Sequence, residues 1–128
     1  MTDGEVIVVY LSYPYSESPV KLTEEGKVYV RELYNNVRNI VILLPHLVFD
    51  AVWDFPSGYK YEEVAFQEIN LIGRCDALIW VEGKVSHGVI WEKAIARRFG
   101  VPVYEYSEFM AKFKVLKSHE AKKNEKEY

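Results

Sequence analysis

The sequence contains few of the features that identify a class of protein at once. It has one cysteine, Cys75, among 128 residues, so no disulfide can form within the chain. It has no GxGxxG, Walker, CxxC or HExxH motif, and we therefore expect no dinucleotide or other cofactor and no metal site. Its net charge of -3 lacks the basic excess of general nucleic-acid binders, so we expect no nucleic acid polymer as a partner.

Signals for membranes and secretion are also missing. No apolar run approaches the roughly 18 residues that a membrane-spanning helix needs, so no membrane partner is expected. The acidic start at residues 1–5 lacks the basic region of a secretory signal. A single cysteine fits a reducing compartment. We therefore expect a cytoplasmic protein.

The apolar content is high enough for one folded domain. The length is typical of a single domain, 49% of the residues are hydrophobic and 15% are aromatic. From Lys117 onward the chain is charged and contributes nothing to a core. We predict a domain over residues 1–116 and a charged C-terminal tail over residues 117–128.

Predicted strands and helices alternate along this domain. The strands are expected at 6–11, 40–44, 77–81 and 101–104, and the helices at 23–36, 61–74 and 88–99, with a last helix capped by Ser107. This alternation predicts a single three-layer α/β domain with a mostly parallel sheet of four or five strands and helices on both faces, flavodoxin-like or Rossmann-like. Ligands of such sheets bind beyond the carboxyl ends of the strands, which are the loops at 12–18, 45–59 and 82–88.

Glu92 is the first candidate for a functional carboxylate. It lies one turn into the helix predicted to begin at Gly88, and helical side chains tilt toward the helix N-terminus. We therefore expect it to point back toward the loop at Ser86, half-buried at the edge of the apolar stripe. A helix N-terminus favours negative charge, so the carboxylate is expected to stay ionised. The alternative is a surface glutamate that pairs with Lys93 or Arg98.

Glu68 is the second candidate. It shares a helix face with Tyr61, Ala65 and Ile72, which places it on the core side. Burial raises the pKa of a carboxylic acid, and a raised pKa is what a general acid needs near neutral pH. The alternative is a tolerated glutamate at the edge of the stripe, paired with Arg74 or a lysine.

Ser86 and Gly88 mark the start of the helix that carries Glu92. Ser86 can cap this helix, and the free backbone N–H groups there form an anion site. Gly88 lets a ligand approach the backbone closely. Simple capping without a ligand is the alternative.

Three stretches of the sequence resemble the nucleoside 2-deoxyribosyltransferase superfamily, which includes deoxynucleoside monophosphate N-glycosidases and small uncharacterised relatives. Residues 9–16 are similar to the family's opening Tyr-Leu-Ala-(Gly/Ser)-Pro-(Tyr/Phe)-Ser. Residues 68–80 are similar to its acidic residue, helix turn and Ala-Asp-hydrophobic strand. Residues 86–103 are similar to its Ser-x-Gly-x-x-x-Glu, small residues and Gly-x-Pro-Val.

The resemblance implies an enzyme that breaks the N-glycosidic bond of a nucleoside or nucleoside monophosphate, by hydrolysis or by deoxyribosyl transfer. Glu92 would attack the anomeric carbon to give a covalent glycosyl-glutamate, and Tyr10 would orient it. Glu68 would protonate the departing base. Ser86 would bind a hydroxyl or a 5′-phosphate.

Further substrate contacts are implied by the same resemblance. They are Ser12, Tyr13 and Ser16 in the opening segment, His46 after the second strand, and Gly88. A packed or solvated histidine is an equal alternative for His46.

The sequence also departs from the family pattern. Tyr13 stands near a glycine of several relatives, so its bulk is expected to narrow or reshape the sugar pocket. Glu68 stands where the family typically has aspartate. The opening loop lacks the arginine that nucleotide-specific relatives use for phosphate.

Two further expectations concern activity and assembly. A non-catalytic nucleotide-binding module on the same fold is the alternative function, because a fold does not guarantee an activity. The resemblance implies a homodimer or higher homo-oligomer. An aromatic-rich stretch suits such an interface or a lid over a base, with local packing as the alternative; it contains Trp53, Phe55, Tyr59 and Tyr61.

Overall fold

Four parallel strands form one sheet in a computed structural model of the chain, which describes residues 5–14, 19–44 and 61–115. The strands are β1 (Ile7–Ser12), β2 (Ile40–Leu43), β3 (Ala77–Trp80) and β4 (Val103–Glu105), in the spatial order β2-β1-β3-β4. The helices are α1 (Pro19–Asn36), α2 (Tyr61–Arg74), α3 (His87–Arg98) and α4 (Tyr106–Phe113). The prediction of an α/β domain with a parallel sheet of four strands is confirmed.

The predictions for several segments lie outside the described residues. They concern Ser16, His46, the aromatic residues between 53 and 59, and the tail at 117–128. Within the described part of the chain, no helix is both long and apolar enough to cross a membrane.

Helices cover both faces of the sheet. On the first face, α1 and α4 pack through Leu33 and Phe109 against Val9 and other strand residues, and Val37, just after α1, joins the same core. On the second face, α2 and α3 pack through Ile72 and Ala96. Each side chain of leucine, isoleucine or phenylalanine size that is fully buried in this way contributes about 1.5–3 kcal/mol. Coverage on both faces explains why the strands read as unbroken apolar runs in the sequence.

The central strand β1 supplies both faces in alternation. Val9, Leu11 and Tyr13 belong to the core of the first face, whereas Tyr10 belongs to the second. Alternation is the normal consequence of the two-residue period of a strand. Tyr10 and Ser12 therefore share one side of the sheet.

Local sequence features set the helix starts, and two of them differ from the prediction. The first helix begins at Pro19 rather than near residue 23, because the fixed φ of proline suits the first helical position. The last helix is capped by Glu105 rather than Ser107. The carboxylate of Glu105 accepts the Ser107 N–H at 3.3 Å and the Ser107 hydroxyl at 2.5 Å, so the serine is a donor to the cap.

Asp76 fixes the start of β3 against β1. Its carboxylate accepts the N–H of Val8 at 2.8 Å, and its own N–H donates to the Val8 carbonyl at 2.7 Å. From this point the two strands run in register, with Val9 level with Ala77 and Ser12 level with Trp80. The carboxyl ends of β1 and β3 therefore lie side by side.

Candidate active site

The site lies where the chain leaves β1 and β3 in opposite directions. After β1 the chain forms α1 on the first face, and after β3 it forms α3 on the second face. Neighbouring parallel strands whose connections diverge in this way leave a crevice at their carboxyl ends, where open α/β sheets bind ligands. Ser12 and Trp80 end the two strands at this place.

Glu92 reaches the site from α3 and is held by two hydroxyl groups of β1. Tyr10 Oη donates to Glu92 Oε2, and Ser12 Oγ donates to Glu92 Oε1 at 2.7 Å. Each carboxylate oxygen thus accepts one hydrogen bond. Only 4% of Glu92 is exposed, and both donors are fully buried.

The position of Glu92 follows from the buried stripe of α3. Ser86 caps the helix, its hydroxyl accepting the Val89 N–H at 3.3 Å. The buried residues are then Val89, Glu92 and Ala96, at helical spacing. The sequence pattern predicted a half-buried carboxylate at the edge of this stripe, but Glu92 lies within it.

The pKa of Glu92 is about 7, because burial raises it by more than the hydrogen bonds from Tyr10 and Ser12 lower it. The expectation that the helix N-terminus keeps Glu92 ionised is therefore wrong below a pH of about 7. Glu92 is in the second turn of α3, and the helix dipole acts mainly within the first turn. Removal from water is the larger effect.

Glu68 provides a second carboxyl group from α2. It is half-buried, as helical periodicity predicted. Burial, together with the nearby Glu92 carboxylate, raises the pKa of Glu68 to about 8. The same two carboxylates, together with burial, raise the pKa of Tyr10 well above its ordinary value, so this hydroxyl stays protonated and remains a donor. The structure thus brings Tyr10, Ser12, Glu68 and Glu92 together.

Lys93 does not pair with Glu92, which removes one alternative raised by the sequence. Its ammonium nitrogen lies 3.6 Å from the centroid of the Trp80 ring. This cation–π contact links α3 to the last residue of β3.

Ser86 and Gly88 form the N-terminus of α3. The predicted capping role of Ser86 is confirmed. Gly88 is exposed, and a Cβ there would lie 3.6 Å from the Ser86 hydroxyl oxygen, an ordinary contact. The backbone N–H groups at this helix start face the loop that follows β3.

Tyr13 does not join the carboxylates. It is buried on the first face, where its hydroxyl donates to Glu25 Oε2 at 2.9 Å. Lys84 Nζ lies 3.4 Å from the same oxygen, and the Tyr29 ring centroid lies 5.7 Å from that of Tyr13. The expectation that Tyr13 narrows or reshapes the sugar pocket conflicts with this placement, because Tyr13, just after β1, shares the core of Val9 and Leu11 and lies on the face opposite Glu92.

Sequence reasoning assigned Ser12 to the substrate and missed its bond to Glu92. The two-residue period of β1 was the signal that could have revealed it, because Tyr10 and Ser12 must face the same way. Among the residues at 5–14, 19–44 and 61–115, no group of three or more His, Cys, Asp or Glu side chains is arranged to hold a metal ion.

Two solved structures are similar to the chain. One is a 2-deoxyribosyltransferase from Leishmania mexicana, with a TM-score of 0.56 and 19% identity over 77% of this chain and 63% of that one. The other is a 2-deoxyribosyltransferase from the psychrotolerant bacterium Bacillus psychrosaccharolyticus, described as a biocatalyst for nucleoside synthesis. Its TM-score is 0.53, with 19% identity over 77% of this chain and 70% of that one.

The chain therefore spans less than two thirds of the Leishmania enzyme. No protein-family model and no curated protein sequence matches it. The order of the parallel strands, the helices on both faces and the two structural matches agree with one another. The chain has the nucleoside 2-deoxyribosyltransferase-like fold.

Proposed function

We propose that the chain cleaves the N-glycosidic bond of a nucleoside or nucleoside monophosphate and transfers the deoxyribosyl group to water or to a second base. Glu92 is the nucleophile, Glu68 is the general acid, and Tyr10 orients the nucleophile. One observation carries the proposal. A deeply buried carboxylate has both oxygens held by hydroxyls and lies close enough to a second carboxyl group to raise the pKa of that group.

The reaction takes place in two displacements. In the first, the bond from C1′ to the base nitrogen breaks, Glu68 gives its proton to the departing base, and Glu92 forms a bond to C1′. In the second, Glu68, now ionised, takes a proton from water or from an acceptor base. The acceptor then displaces Glu92 from C1′, which restores the starting protonation of both groups. Hydrolysis and transfer differ only in the acceptor.

The electrostatics of the pair support this division of roles. Two hydroxyl donors favour the ionised form of Glu92, while no hydrogen bond from the described residues lowers the pKa of Glu68. When two carboxyl groups share a site and one proton, the proton stays on the group whose anion is less stabilised. Near neutral pH this leaves a charged nucleophile beside a neutral acid.

The N-terminus of α3 is proposed to bind the sugar or its 5′-phosphate. The Ser86 hydroxyl accepts one backbone N–H and can still donate its own hydrogen to a ligand. Gly88 leaves the adjoining backbone open to close approach. Ser16 and His46 remain predicted substrate contacts.

Support for the substrate class comes from the structural neighbours, which are named as 2-deoxyribosyltransferases. We further propose that the chain acts in the cytoplasm and as a homodimer or higher homo-oligomer. Native mass measurement of the purified protein tests the assembly, and a monomer at micromolar concentration would contradict it.

The central experiment is incubation with the common deoxynucleosides and their 5′-monophosphates, with and without a second base. Release of free base, followed by chromatography, is the expected result. A covalent adduct of one deoxyribosyl group, seen by intact-protein mass and absent from Glu92→Gln, is expected early in the reaction. Thermal stabilisation by nucleotides without turnover would instead identify a non-catalytic binding module.

A further inference from the structure

The hydroxyl of Ser12 lies inside the protein, at the last position of β1. The residue is 0% exposed, and its oxygen lies 2.7 Å from Glu92 Oε1. A hydroxyl at this depth, with its hydrogen directed to a carboxylate, has no free donor for a ligand. Ser12 therefore differs from Ser86, which is half-buried at a helix start.

Two donors restrain Glu92 more than one donor can. With Tyr10 alone, the carboxylate could rotate about its terminal bond, because one hydrogen bond fixes only one oxygen. Tyr10 and Ser12 are two residues apart on the same side of β1, and each holds a different oxygen. The plane of the carboxylate is thereby fixed, and with it the direction of the lone pairs that remain free.

The serine side chain is not required for packing at this position. Serine and alanine differ by one hydroxyl, and the motif that the sequence resembles usually has alanine here. A buried hydroxyl stabilises the fold only if it is hydrogen-bonded. The chain thus carries a polar group in its core whose only partner among the described residues is Glu92.

We propose that Ser12 is a positioning residue that acts through Glu92, as the second hydroxyl that orients this carboxylate toward the anomeric carbon. The inference rests on the proposed function for its catalytic meaning. The contact itself does not, and it can be measured in the absence of substrate.

Several other groups face Glu92 and must be accounted for in any titration. Tyr10 faces it from β1, and Glu68 faces it from α2. Cys75, which follows α2, influences Tyr10. Because Glu68 and Glu92 titrate together, the measurement is clearest in a Glu68→Gln background, where Glu92 loses its proton in one step.

The experiment is a carbon-13 NMR titration of the Glu92 carboxyl group with and without Ser12→Ala, both in Glu68→Gln protein. The signal is assigned by its loss in Glu92→Gln. Loss of one hydrogen bond to the charged form is expected to raise the Glu92 pKa by about one unit, a tenfold change in the ratio of ionised to protonated Glu92. An unmoved titration overturns the proposal.

Kinetics provide the second measurement, on protein with Glu68 intact. Ser12→Ala is expected to lower kcat about tenfold below neutral pH with KM within about twofold, and to shift the rising limb of the pH profile upward. Ser12→Thr keeps the hydroxyl and is expected to restore most of kcat. A raised KM with unchanged kcat would show instead that Ser12 contacts the substrate, and would overturn the proposal.

Ser107→Ala is the matched control, because Ser107 also donates to a glutamate, at 2.5 Å from Glu105 on the exposed start of α4. It is expected to leave both the Glu92 titration and kcat unchanged. If unmodified protein releases no base from any nucleoside, the proposed function fails. The titration then still decides whether Ser12 holds Glu92.

Discussion

Two tyrosine–glutamate hydrogen bonds lie on opposite faces of the same sheet. On the second face, Tyr10 of β1 donates to Glu92, which is 4% exposed. On the first face, Tyr13, which follows β1, donates to Glu25, whose side chain is 30% exposed and lies 3.4 Å from Lys84. The residue types are the same, but the surroundings of the two carboxylates differ.

The difference shows which surroundings separate the proposed nucleophile, Glu92, from the partly exposed Glu25. Glu25 is partly exposed and has a lysine ammonium group beside it, so its charge is compensated near the surface. Glu92 has two hydroxyls and a second carboxyl group, and removal from water brings its pKa to about 7. Depth and neighbours, rather than the tyrosine partner, separate a structural glutamate from a candidate nucleophile.

Exchange of each glutamate for glutamine is expected to give the largest contrast. Glu92→Gln removes the proposed nucleophile and is expected to lower kcat by about 10³-fold or more. Glu25→Gln should leave kcat within about twofold, because Glu25 lies on the other face. Steady-state release of free base measures both. A similar loss in the two variants would contradict the contrast between the faces.

Glu68→Gln tests the proposed role of Glu68 as the general acid. We expect activity to rise as pH increases through about 7, where Glu92 ionises, and to fall through about 8, where Glu68 loses its proton. The variant is expected to lose the falling limb and about 10²-fold in kcat. The loss of kcat in Glu68→Gln should be far smaller for a substrate whose leaving group departs without protonation. An unchanged falling limb would exclude Glu68 as the acid.

The two tyrosines provide the next contrast. Tyr10→Phe removes one of the two donors to Glu92 and is expected to lower kcat about tenfold. Tyr13→Phe is expected to cost about 1 kcal/mol of unfolding free energy with kcat unchanged. Urea unfolding and steady-state kinetics on both variants measure these effects. A loss of kcat in Tyr13→Phe would revive the sequence-based expectation that this residue shapes the pocket.

The free energy of unfolding should also depend on pH, because Glu92 and Glu68 have raised pKa values in the folded protein. The pKa values of Glu92 and Glu68, about 7 and about 8, lie above the ordinary 4.5. Between 4.5 and these values the folded protein keeps protons that the unfolded chain releases. The free energy of unfolding is therefore highest at the acid end of this range and falls as pH rises through it.

The Glu92→Gln variant has no titrating group at this position, so the fall in unfolding free energy is expected to be smaller by about 3 kcal/mol. Urea unfolding at a series of pH values measures it. The same slope in both proteins would mean that burial does not hold a proton on Glu92.

The smallest expected effect comes from Gly73 in α2, which has no side chain to contact Glu92 or Glu68. Gly73 lies in the last turn of α2, and a Cβ there would lie 3.7 Å from the Phe99 ring, an ordinary contact. Gly73→Ala is expected to stabilise the fold by about 0.5 kcal/mol, because glycine is a poor helix former. Thermal unfolding measures it, and a lower Tm would contradict it.

Much of the fold followed from the sequence because the signals were local. The boundaries of α2 were predicted to the residue, since its apolar face repeats at helical spacing. Ser86 was correctly predicted as a cap from its place before an apolar stripe. The start of α1 was predicted at Thr23 and the cap of α4 at Ser107, because threonine and serine are common at helix starts. Pro19 and Glu105 take these roles in the structure.

The site was less predictable because its properties depend on residues far apart in the chain. Glu92 and Glu68 were identified as candidates, but the partner hydroxyl of Ser12 is 80 residues from Glu92. The ionisation of Glu92 was misjudged because only depth within the assembled fold reveals the cost of its charge. Tyr13 was predicted to lie near the sugar pocket because the motif places it close to Tyr10 in the sequence. Side chains along an extended segment alternate between the two faces of the sheet, and Tyr13 lies on the face opposite Tyr10.

The central place of β1 restricts how this protein can change in length. The strand is held in register on both sides, with Ile7 level with Ile40 and Val9 level with Ala77. Insertion or deletion of a single residue within it would turn Tyr10 and Ser12 into the apolar core and bring Leu11 to Glu92. The hydroxyl partners of Glu92 and the core would be lost in one event, so this segment can diversify by substitution, while gains and losses of residues are confined to the loops.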